Sequence, residues 1–509
     1  MKNPNVANSL NLETTKYSLV GHLNNRSGRF EIRLRSKIGG RNHTHHTHYN
    51  LLRADGSVIG RRAITPSVAK FIFDNFERRG DTHSFEIYET ELKEELAQSR
   101  FAASEVPSTV RHALTVAENS FTSTGAKLAY HAPIFQKFGE TGFGSIIRAT
   151  MSLHQRCSSK CQYCSTILRN RADAISLEEA KSFVLSLYED QAEYNRAKFA
   201  AYNEKYREQT GSDIRLRGLI LSGGGQPNLW PHFAEFVDWL SGIDIDLGLI
   251  TNGFPRALPE DIYSRFKWIR ISITPEGASP HYPEGQFDQQ YLPKTIINNA
   301  NTTVGFSYVY GPWTDETMFS RIDKATTDKG FDYCRVLVDC NLTRAAQIQA
   351  HDILADQLFK AGLIDDVGQP TSRIFHQLKY HGTQEEADEL WSEGQCFLQT
   401  YNIFWDTTGH DENGYSYCYP CDSVTVLAEE GTDNSVLASE RRFNSEKWGV
   451  VPNTRVDELY TKPVFPTFDP RGQCSACLFM RNNKIVKELS DDAALRHTIK
   501  TPLQHVNFP

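Results

Sequence analysis

The sequence predicts an α/β protein with a parallel sheet at its centre, preceded by a smaller α+β region and followed by a region rich in cysteine. From about residue 145, short apolar runs alternate with longer helical stretches, which is the pattern of βα units. Six of these runs are predicted strands, at residues 145–152, 216–221, 245–251, 268–273, 303–309 and 333–338. A chain of 509 residues that is 39% hydrophobic can bury more than one core, so we expect about two to four domains.

The first 140 residues contain no cysteine and predict a small α+β domain. Apolar and charged residues alternate at 30–35, as in a half-buried strand. Asp55-Gly56 lies between apolar pairs and favours a hairpin turn. A helix at 68–78 and a short strand at 85–88 complete this region, whose role the pattern does not reveal.

A long, charged helical segment separates the first two predicted strands. It opens at Ser176, where Glu179 completes the pattern of a capping box, and Gly211 is placed to end it. The segment is longer than a crossover between parallel strands requires. Its excess is therefore expected on the surface or between domains.

The chain after the predicted sheet divides into three parts. Residues 343–395 form a helical connector, and residues 396–480 hold five cysteines and two strand-like runs, at 401–406 and 415–419. The C-terminal tail is at 481–509, and its part after Val486 is polar and is expected to be peripheral. The connector's predicted elements are helices at 344–361 and 384–391 and a strand near 374–378.

The charge and hydropathy patterns exclude some classes of protein. The formal net charge is −7, from 55 basic and 62 acidic residues, which argues against a general nucleic-acid binder. The chain begins with polar residues rather than the apolar core of a signal peptide. No apolar run approaches the roughly 20 residues that a membrane-spanning helix needs. We therefore expect a soluble protein of the cytoplasm, where clustered cysteines bind metals more often than they form disulfides.

Three cysteines stand close together after the first predicted strand: Cys157, Cys161 and Cys164, in the spacing C-x3-C-x2-C. Three thiolates on one loop can ligate three irons of a [4Fe–4S] cube and leave the fourth iron to a small molecule with an amine and a carboxylate. Because the loop follows a strand, it lies at a carboxyl end, where α/β barrels place their chemistry. A structural zinc loop and unligated cysteines are the alternatives, although a structural zinc takes four ligands.

The loop, with Tyr163 just before its last cysteine, resembles the signature of the radical S-adenosylmethionine (SAM) superfamily. The resemblance covers residues 141–342 and implies a partial (β/α)6 TIM-like barrel. It also implies the cofactors, a [4Fe–4S] cluster with an open iron and S-adenosyl-L-methionine bound to that iron. In the family, an electron from the cluster cleaves SAM to methionine and a 5′-deoxyadenosyl radical, which abstracts a hydrogen atom from the substrate.

Further segments fall where the family places its contacts to SAM. The glycine run at 222–227 resembles the Gly-Gly-Glu-Pro motif, with Gln226 in place of Glu, so that an acceptor is kept and the charge is lost. Residues 251–253 and 270–272 resemble the positions that contact the ribose and carboxylate; the alternative for each segment is a turn or strand-face role. The implied cofactor-binding residues are Tyr163, Gly223, Gly224, Gly225, Gln226, Asn252 and Ser272.

A second set of cysteines lies near the C-terminus. Cys396, Cys418, Cys474 and Cys477 could ligate an iron–sulfur cluster or a structural zinc, and their chemistry alone does not choose between the two. Their order resembles the SPASM/twitch extensions of radical SAM enzymes, which implies an auxiliary [4Fe–4S] cluster across residues 396–480. Cys421 is left over and is a possible substitute for Cys418.

Other chemically active side chains carry weaker signals. A cluster of four histidines consists of His43, His45, His46 and His48. It could be a solvated turn, a metal site or a substrate-binding site. Cys334 and Cys340 flank the sixth predicted strand and are expected to be core residues. Tyr310, Asp339 and Cys421 are candidates for acid–base or thiol chemistry by position alone.

The resemblance implies an oxidoreductase-type enzyme reduced by a donor such as flavodoxin or ferredoxin. The first hypothesis for its substrate is a peptide or protein side chain, oxidised or crosslinked, with the N-terminal domain holding a leader peptide. The alternative is a radical SAM dehydrogenase or other modifier of a small molecule in natural-product biosynthesis. A non-catalytic iron–sulfur or zinc binding protein is the third hypothesis.

Overall fold

The structure, a computed structural model, contains two compact units, formed by residues 1–117 with 349–372 and by residues 118–348 with 373–509. The residues it describes are 7–10, 16–22, 29–35, 48–52, 58–63, 125–164, 171–253, 259–273, 301–315, 317–328, 330–339, 342, 344–365, 370–377, 396–410, 416–421, 451–452, 456–463, 479–491 and 504–509.

The first unit contains a five-stranded antiparallel sheet in which sequence neighbours pair with one another. Its strands are β1 (Ala7–Leu10), β2 (Lys16–His22), β3 (Arg29–Arg35), β4 (His48–Leu52) and β5 (Val58–Ala63). The strand predicted at 30–35 is β3, and the predicted hairpin is the β4–β5 pair, so both predictions are confirmed. The helix predicted at 68–78 and the strand predicted at 85–88 lie outside the described residues.

The second unit is built on a ten-stranded sheet in the order β12-β11-β10-β9-β8-β7-β6-β13-β14-β15. Every pairing from β12 to β13 is parallel, whereas β14 and β15 are antiparallel additions. The strands are β6 (Arg148–Met151), β7 (Gly218–Leu221), β8 (Asp246–Thr251), β9 (Trp268–Ile273), β10 (Thr303–Tyr310), β11 (Tyr333–Val338), β12 (Ile374–Gln377), β13 (Asn402–His410), β14 (Ser416–Tyr419) and β15 (Val451–Pro452).

All six strands predicted from the apolar runs are present, and β6 to β11 lie side by side in chain order. This order results from βα units, in which each crossover returns the chain beside the strand it has left. β7 is buried along its whole length, as expected for a strand covered on both faces. The mixed α/β class is confirmed, and the domain boundaries stay predictions.

The described helices lie before the first strand of this sheet, between its strands and after its last strand. Their bounds are Gly125–Tyr130, Ala132–Thr141, Leu177–Leu185, Gln191–Lys198, Ala200–Thr210, Phe233–Leu240, Glu260–Tyr263, Met318–Asp328, Arg344–Lys360, Glu458–Thr461 and Met480–Asp491. Within the described ranges, none of the helices combines the length and the apolar character that a bilayer crossing needs.

The long segment after the first strand starts and stops where its sequence predicts. The Ser176 hydroxyl accepts a hydrogen bond from the backbone N–H of Glu179, and Gly211 ends the segment in the left-handed conformation. The interior is not one helix, since Ser186–Asp190 forms a π-turn and Phe199 interrupts the helix with φ −128° and ψ 40°. The two ends of the segment were predictable from local capping residues, whereas its interior irregularities have no such signal in the sequence.

The strand-like runs of the cysteine-rich region form the predicted hairpin, in which β13 and β14 are antiparallel. β13 also pairs in parallel with β6, so that Asn402 lies beside Arg148 and Trp405 beside Met151. The hairpin therefore continues the main sheet next to the strand that leads into Cys157, Cys161 and Cys164.

The prediction that the C-terminal tail is peripheral is wrong. The helix Met480–Asp491 buries Val486 and Leu489, and Phe508 is only 5% exposed. Phe508 packs edge-on against Trp268, with ring centroids 5.4 Å apart, and the Asn507 amide donates to Asp246 at 2.7 Å. These partners begin β9 and β8, so residues 504–509 cover the amino-terminal edge of the sheet. A buried aromatic ring and hydrogen bonds to the first residues of the strands together hold this polar segment against the sheet.

Candidate functional site

The candidate site lies where β6, β7 and β8 end. These strands are neighbours and parallel, so their carboxyl ends meet at one edge of the sheet. The loops that follow them contain the three predicted motifs: the cysteines at 157–164, the glycine run at 222–227 and the segment 251–253. The fold therefore brings together residues that are up to about a hundred positions apart in sequence.

The cysteine loop presents its three thiols at the surface of this edge. Cys157, Cys161 and Cys164 are all half-buried and are not joined in disulfides. A turn links the last two, because the backbone N–H of Cys164 donates to the carbonyl of Cys161 at 3.1 Å. The backbone N–H of Ser159 donates to the Cys157 sulfur at 3.4 Å. The loop thus offers accessible sulfur ligands, one of which already accepts a hydrogen bond.

The donor set of the loop is three thiols on one short turn. In a cubane each iron takes its own thiolate, so three cysteines would hold three of the four irons, whereas a structural zinc takes four ligands. The cysteine loop therefore fits an iron–sulfur cluster bound through three separate sulfurs.

Two buried polar residues fix the segment that leads into the loop. His154 is 2% exposed; its Nδ1 accepts from the backbone N–H of Arg156 at 3.1 Å, so its Nε2 carries the proton and donates to the carbonyl of Gln226 at 2.7 Å. The Gln155 amide donates to Asp406 at 3.0 Å and to Thr407 at 2.8 Å, both in β13. These bonds tie the approach to Cys157 both to the glycine run and to the C-terminal hairpin.

The glycine run is glycine because it packs against that same segment. Gly223 has φ +129°, which residues with a Cβ rarely adopt. A Cβ on Gly225 would lie 2.6 Å from the Arg156 carbonyl oxygen and closer still to that of His154. A Cβ on Gly224 would collide with the Gln155 side chain. The close backbone approach that these glycines allow is made to the 152–156 segment.

Gln226 is buried and its amide is fully engaged. Its Oε1 accepts from the backbone N–H of Asn252 at 2.8 Å, while its Nε2 donates to the hydroxyl of Thr251 and to the Asn228 oxygen. Its backbone N–H donates to the Arg156 carbonyl at 2.6 Å. Gln226 therefore links the ends of β7 and β8 to the segment before the cysteines.

Asn252 continues this link into the cysteine loop. Its side-chain amide donates to the Ser158 hydroxyl at 3.0 Å and to the Ser159 hydroxyl at 2.9 Å. Ser272 lies on β9, half-buried and in register with Ser307 of β10, one strand further along the sheet. The structure thus brings Gln226 and Asn252 into contact with the cysteine loop or its approach and places Ser272 on the adjacent strand.

Tyr163 contacts an aromatic residue that the sequence analysis missed. Its ring lies 5.5 Å from that of Trp313, at an interplanar angle of 45°. Trp313 follows β10 and is held by a hydrogen bond from its indole N–H to the Val309 carbonyl at 2.8 Å. Two half-buried rings therefore border the loop beside Cys164.

The C-terminal cysteines are described only in part. Cys396 is 7% exposed, and its sulfur lies 3.9 Å from the Asn483 oxygen; Cys418 is fully buried in β14 opposite Trp405. Burial raises the pKa of the Cys418 thiol well above its usual range, and the charge of Glu179 adds to the effect. Cys421 is half-buried just after β14. Cys474 and Cys477 lie outside the described residues.

The remaining candidates have varied positions. Cys334 is fully buried in β11, as expected for a core cysteine, and burial raises its pKa. Tyr310 ends β10 and stacks on Phe319 at 6.3 Å, and Asp339 follows β11 half-buried. Cys340 and three histidines of the predicted cluster lie outside the described residues. Those histidines are His43, His45 and His46; His48 begins β4.

Sequence reasoning missed three residues that shape this site: His154, Gln155 and Trp313. The first two form a polar pair between an apolar strand and the first cysteine, and such a pair is unusual at the end of a buried strand. The position of this polar pair directly before Cys157 could therefore have indicated its role. Trp313 had only the Gly-Pro dipeptide before it, which marks a turn and gives no indication of what the ring contacts.

Comparisons with known proteins give similar solved structures at low identity. No protein-family profile and no curated protein sequence matches the chain. Streptococcus suis SuiB bound to S-adenosylmethionine aligns with a TM-score of 0.39 and 11% identity, over 68% of this chain and 74% of that one. SuiB bound to its precursor peptide SuiA aligns with a TM-score of 0.40 and 12% identity, over 85% and 90%. Native anSMEcpe with bound AdoMet and the Cp18Cys peptide aligns with 0.34 and 12%, over 68% and 84%. Scores this low establish neither a shared activity nor a shared substrate.

Proposed function

We propose that this chain is a radical SAM enzyme whose cluster is held by Cys157, Cys161 and Cys164. One observation carries the proposal: three half-buried thiols that form no disulfide lie on the loop after β6, and this loop is hydrogen-bonded to the loops after β7 and β8 at the carboxyl edge of a parallel sheet. A structural zinc site would not require hydrogen bonds from these two further loops. Three thiolates on one loop suit a cluster that keeps one iron for a small molecule.

The bound cluster would supply one electron that splits SAM into methionine and a 5′-deoxyadenosyl radical, which takes a hydrogen atom from the substrate. The chain's own residues hold and shield this chemistry. The N–H of Ser159 stabilises negative charge on the Cys157 sulfur. The rings of Tyr163 and Trp313 pack against each other on one side of the loop, and this packing helps to exclude water from a reactive intermediate.

The proposal assigns contacts to SAM at the edge formed by these loops. The side-chain amide of Gln226 is already fully hydrogen-bonded within the protein. Its proposed part in binding SAM is therefore indirect, because it holds the backbone of Asn252. Its missing charge means that the methionyl ammonium group must be neutralised elsewhere or hydrogen-bonded by neutral acceptors. The assigned residues are Tyr163, Gly223, Gly224, Gly225, Gln226, Asn252 and Ser272.

We extend the proposal to an auxiliary [4Fe–4S] cluster bound by Cys396, Cys418, Cys474 and Cys477, in a SPASM/twitch-like segment. The hairpin between Cys396 and Cys418 supports it, since β13 joins the sheet beside β6 and so stands next to the strand that precedes the first cysteine loop. Cys421, half-buried just after β14, is the alternative ligand to Cys418.

The proposed substrate is a peptide or protein side chain. The antiparallel sheet of the first unit supports this choice, because within the described residues β1 and β5 each pair on one side only. A strand edge of this kind can bind an extended peptide through its backbone hydrogen bonds. A small molecule would have no use for such an edge.

The proposed electron donor is a small acidic redox protein such as flavodoxin or ferredoxin, acting in the cytoplasm. Arg156, Lys160 and Arg171 are exposed around the cysteine loop. The Arg171 side chain donates to the carbonyl of Cys157 at 3.4 Å. This local positive charge, in a chain with a net charge of −7, favours the approach of an acidic partner to the cluster.

Anaerobic reconstitution with iron and sulfide tests the core of the proposal. The wild type should hold about eight irons per chain as two [4Fe–4S] clusters and should form 5′-deoxyadenosine from SAM with dithionite. Replacing Cys157, Cys161 and Cys164 together with Ala should remove about four irons and abolish 5′-deoxyadenosine. Cys334→Ala is the matched control, because this buried core cysteine should leave both results unchanged.

Zinc in place of iron in anaerobically purified protein, or 5′-deoxyadenosine formation by the triple variant, would refute the assignment. The auxiliary cluster has a separate test. Cys396→Ala should remove about four irons and retain some SAM cleavage. Comparing Cys418→Ala with Cys421→Ala then identifies the second ligand, as only the ligand variant should lose iron.

The peptide hypothesis is tested at the gene and in the reaction. A short open reading frame beside this gene is expected, and its peptide should raise the rate of 5′-deoxyadenosine formation and change in mass. A peptide that binds but leaves that rate and its own mass unaltered contradicts the hypothesis. Turnover of a small alcohol or amine in its place would favour a small-molecule dehydrogenase.

A further inference from the structure

Four hydrogen bonds connect the ends of β7 and β8 to the first cysteine. The backbone of Asn252 is held by the Oε1 of Gln226, and its side chain reaches Ser158 and Ser159. The backbone N–H of Ser159 in turn donates to the sulfur of Cys157. The first bond joins the loops after β7 and β8, the next two join the loop after β8 to the cysteine loop, and the last lies within the cysteine loop and ends on a proposed cluster ligand.

We propose that Asn252 is a positioning residue for the cysteine loop: its side-chain amide fixes Ser158 and Ser159, and so fixes the N–H that donates to the Cys157 sulfur. The inference rests on the proposed function and deepens it. It gives Asn252 a task that does not require contact with SAM.

The geometry explains why an amide side chain stands at this position. Both hydroxyl oxygens accept from the same Nδ2, at 3.0 and 2.9 Å, which uses both of its N–H groups. A carboxylate could only accept from these hydroxyls and would add a negative charge beside the cysteine loop, and a serine or alanine does not reach. Ser159 is 3% exposed, so loss of its partner would leave a buried hydroxyl to be satisfied by movement of the loop.

A displaced Ser159 would carry its backbone N–H away from the sulfur. Hydrogen bonds to cluster sulfurs stabilise the more negative, reduced form and therefore raise the reduction potential. We expect the bond from Ser159 to make the cluster easier to reduce. The same contacts hold the 157–164 loop in place, which slows the loss of iron.

The test compares three variants with the wild type: Asn252→Ala, Asn252→Asp, and the double variant Ser158→Ala with Ser159→Ala. The readouts are the potential at which the cluster gives its electron paramagnetic resonance signal, the rate of iron release to a chelator without SAM, and the dissociation constant for SAM. Asn301→Ala is the matched control, because this exposed asparagine lies before β10, at the opposite edge of the sheet. Circular dichroism and thermal melting confirm that each variant is folded.

All three variants should shift the potential to more negative values and release iron about fivefold faster, as expected for the loss of about 1 kcal/mol of hydrogen bonding. Combining Asn252→Ala with the double serine variant should add little, because both changes break the same link. The control should match the wild type.

Unchanged potential and iron release in Asn252→Ala would overturn the inference. So would a variant that only weakens SAM binding while the double serine variant behaves as wild type, since Asn252 would then act as a ligand contact. If the Asn252 variants do not fold, the double serine variant alone decides in the same way. A wild type without any cluster signal would instead refute the proposed function.

Discussion

Lowering the pH should remove about 3 kcal/mol of stability from the second unit through one side chain, His131. This residue is fully buried between the helices Gly125–Tyr130 and Ala132–Thr141. Its Nε2 donates to the Val506 carbonyl at 3.0 Å, and its Nδ1 accepts from the hydroxyl of Tyr206 at 2.8 Å. The neutral ring therefore satisfies both partners.

Burial lowers the pKa of His131 from 6.5 to about 4; the carbonyl of Val506 opposes the shift and the charge of Arg217 adds to it. Between pH 6.5 and 4, the His131 ring binds a proton in the unfolded chain but stays neutral in the folded protein. Its contribution to the free energy of unfolding is therefore present above pH 6.5 and is lost as the pH falls towards 4. At 1.36 kcal/mol per pKa unit, the gap corresponds to about 3 kcal/mol.

Urea denaturation of the wild type and of His131→Gln, at several pH values between 6.5 and 4, measures this effect. Glutamine keeps a donor and an acceptor but does not titrate, so the difference in unfolding free energy between the two proteins should shrink by about 3 kcal/mol across the window. Asp213, Asp244 and His505, whose pKa values are also lowered, are common to both proteins and cancel. An exposed histidine provides the control, in His232→Gln. A difference that stays constant over the window would refute the reasoning.

Three further predictions concern the tail and the rim of the cysteine loop. Phe508→Ala should lower the free energy of unfolding by about 3 kcal/mol, because a buried aromatic ring is removed from Trp268, whereas Phe508→Leu should cost less; equal losses in urea denaturation would contradict this. Lys160→Glu should slow reduction by flavodoxin several-fold at low salt and leave reduction by dithionite unchanged; an equal effect on both donors would exclude electrostatic steering. Trp313→Ala should speed the loss of the cluster signal in air relative to Trp313→Phe, because the ring that packs on Tyr163 is removed; equal decay in both variants would count against a shielding role.

The parallel strands were predictable because short, mainly apolar runs alternate with helical stretches along the chain. β9 and β11 start and end where the apolar runs do. The helix start at Ser176 was also predictable, since a capping box is a contact between residues three apart and is visible in the sequence. Local physics thus determined most of the element boundaries that the sequence analysis recognised.

Contacts between distant segments were not predictable from single residues. Phe508 looks like an isolated aromatic in a polar tail, and its burial depends on space at the start of β9. Gln155 donates locally to the Ser152 hydroxyl, but its partner Asp406 is about 250 residues away along the chain and could not be foreseen. The pairing of β13 with β6 has the same origin, as it joins strands separated by most of the second unit. Burial of a polar group requires a partner, but the sequence does not identify that partner.

The departure of Gln226 from the acidic residue of the resembling motif has a local explanation. The backbone N–H of Asn252 must point at an acceptor, which fixes Oε1 and leaves Nε2 facing the oxygens of Thr251 and Asn228. Thr251 already accepts from the backbone N–H of Gly253 at 2.9 Å. A carboxylate in this orientation would place a second oxygen there, and the Asn228 amide and the Thr251 hydroxyl would have to turn their N–H and O–H groups towards it. The amide fits the arrangement of donors and acceptors that is present between the ends of β7 and β8. Gln226 thus acts by holding the loop that reaches the cysteines, a task that needs hydrogen bonds and no charge.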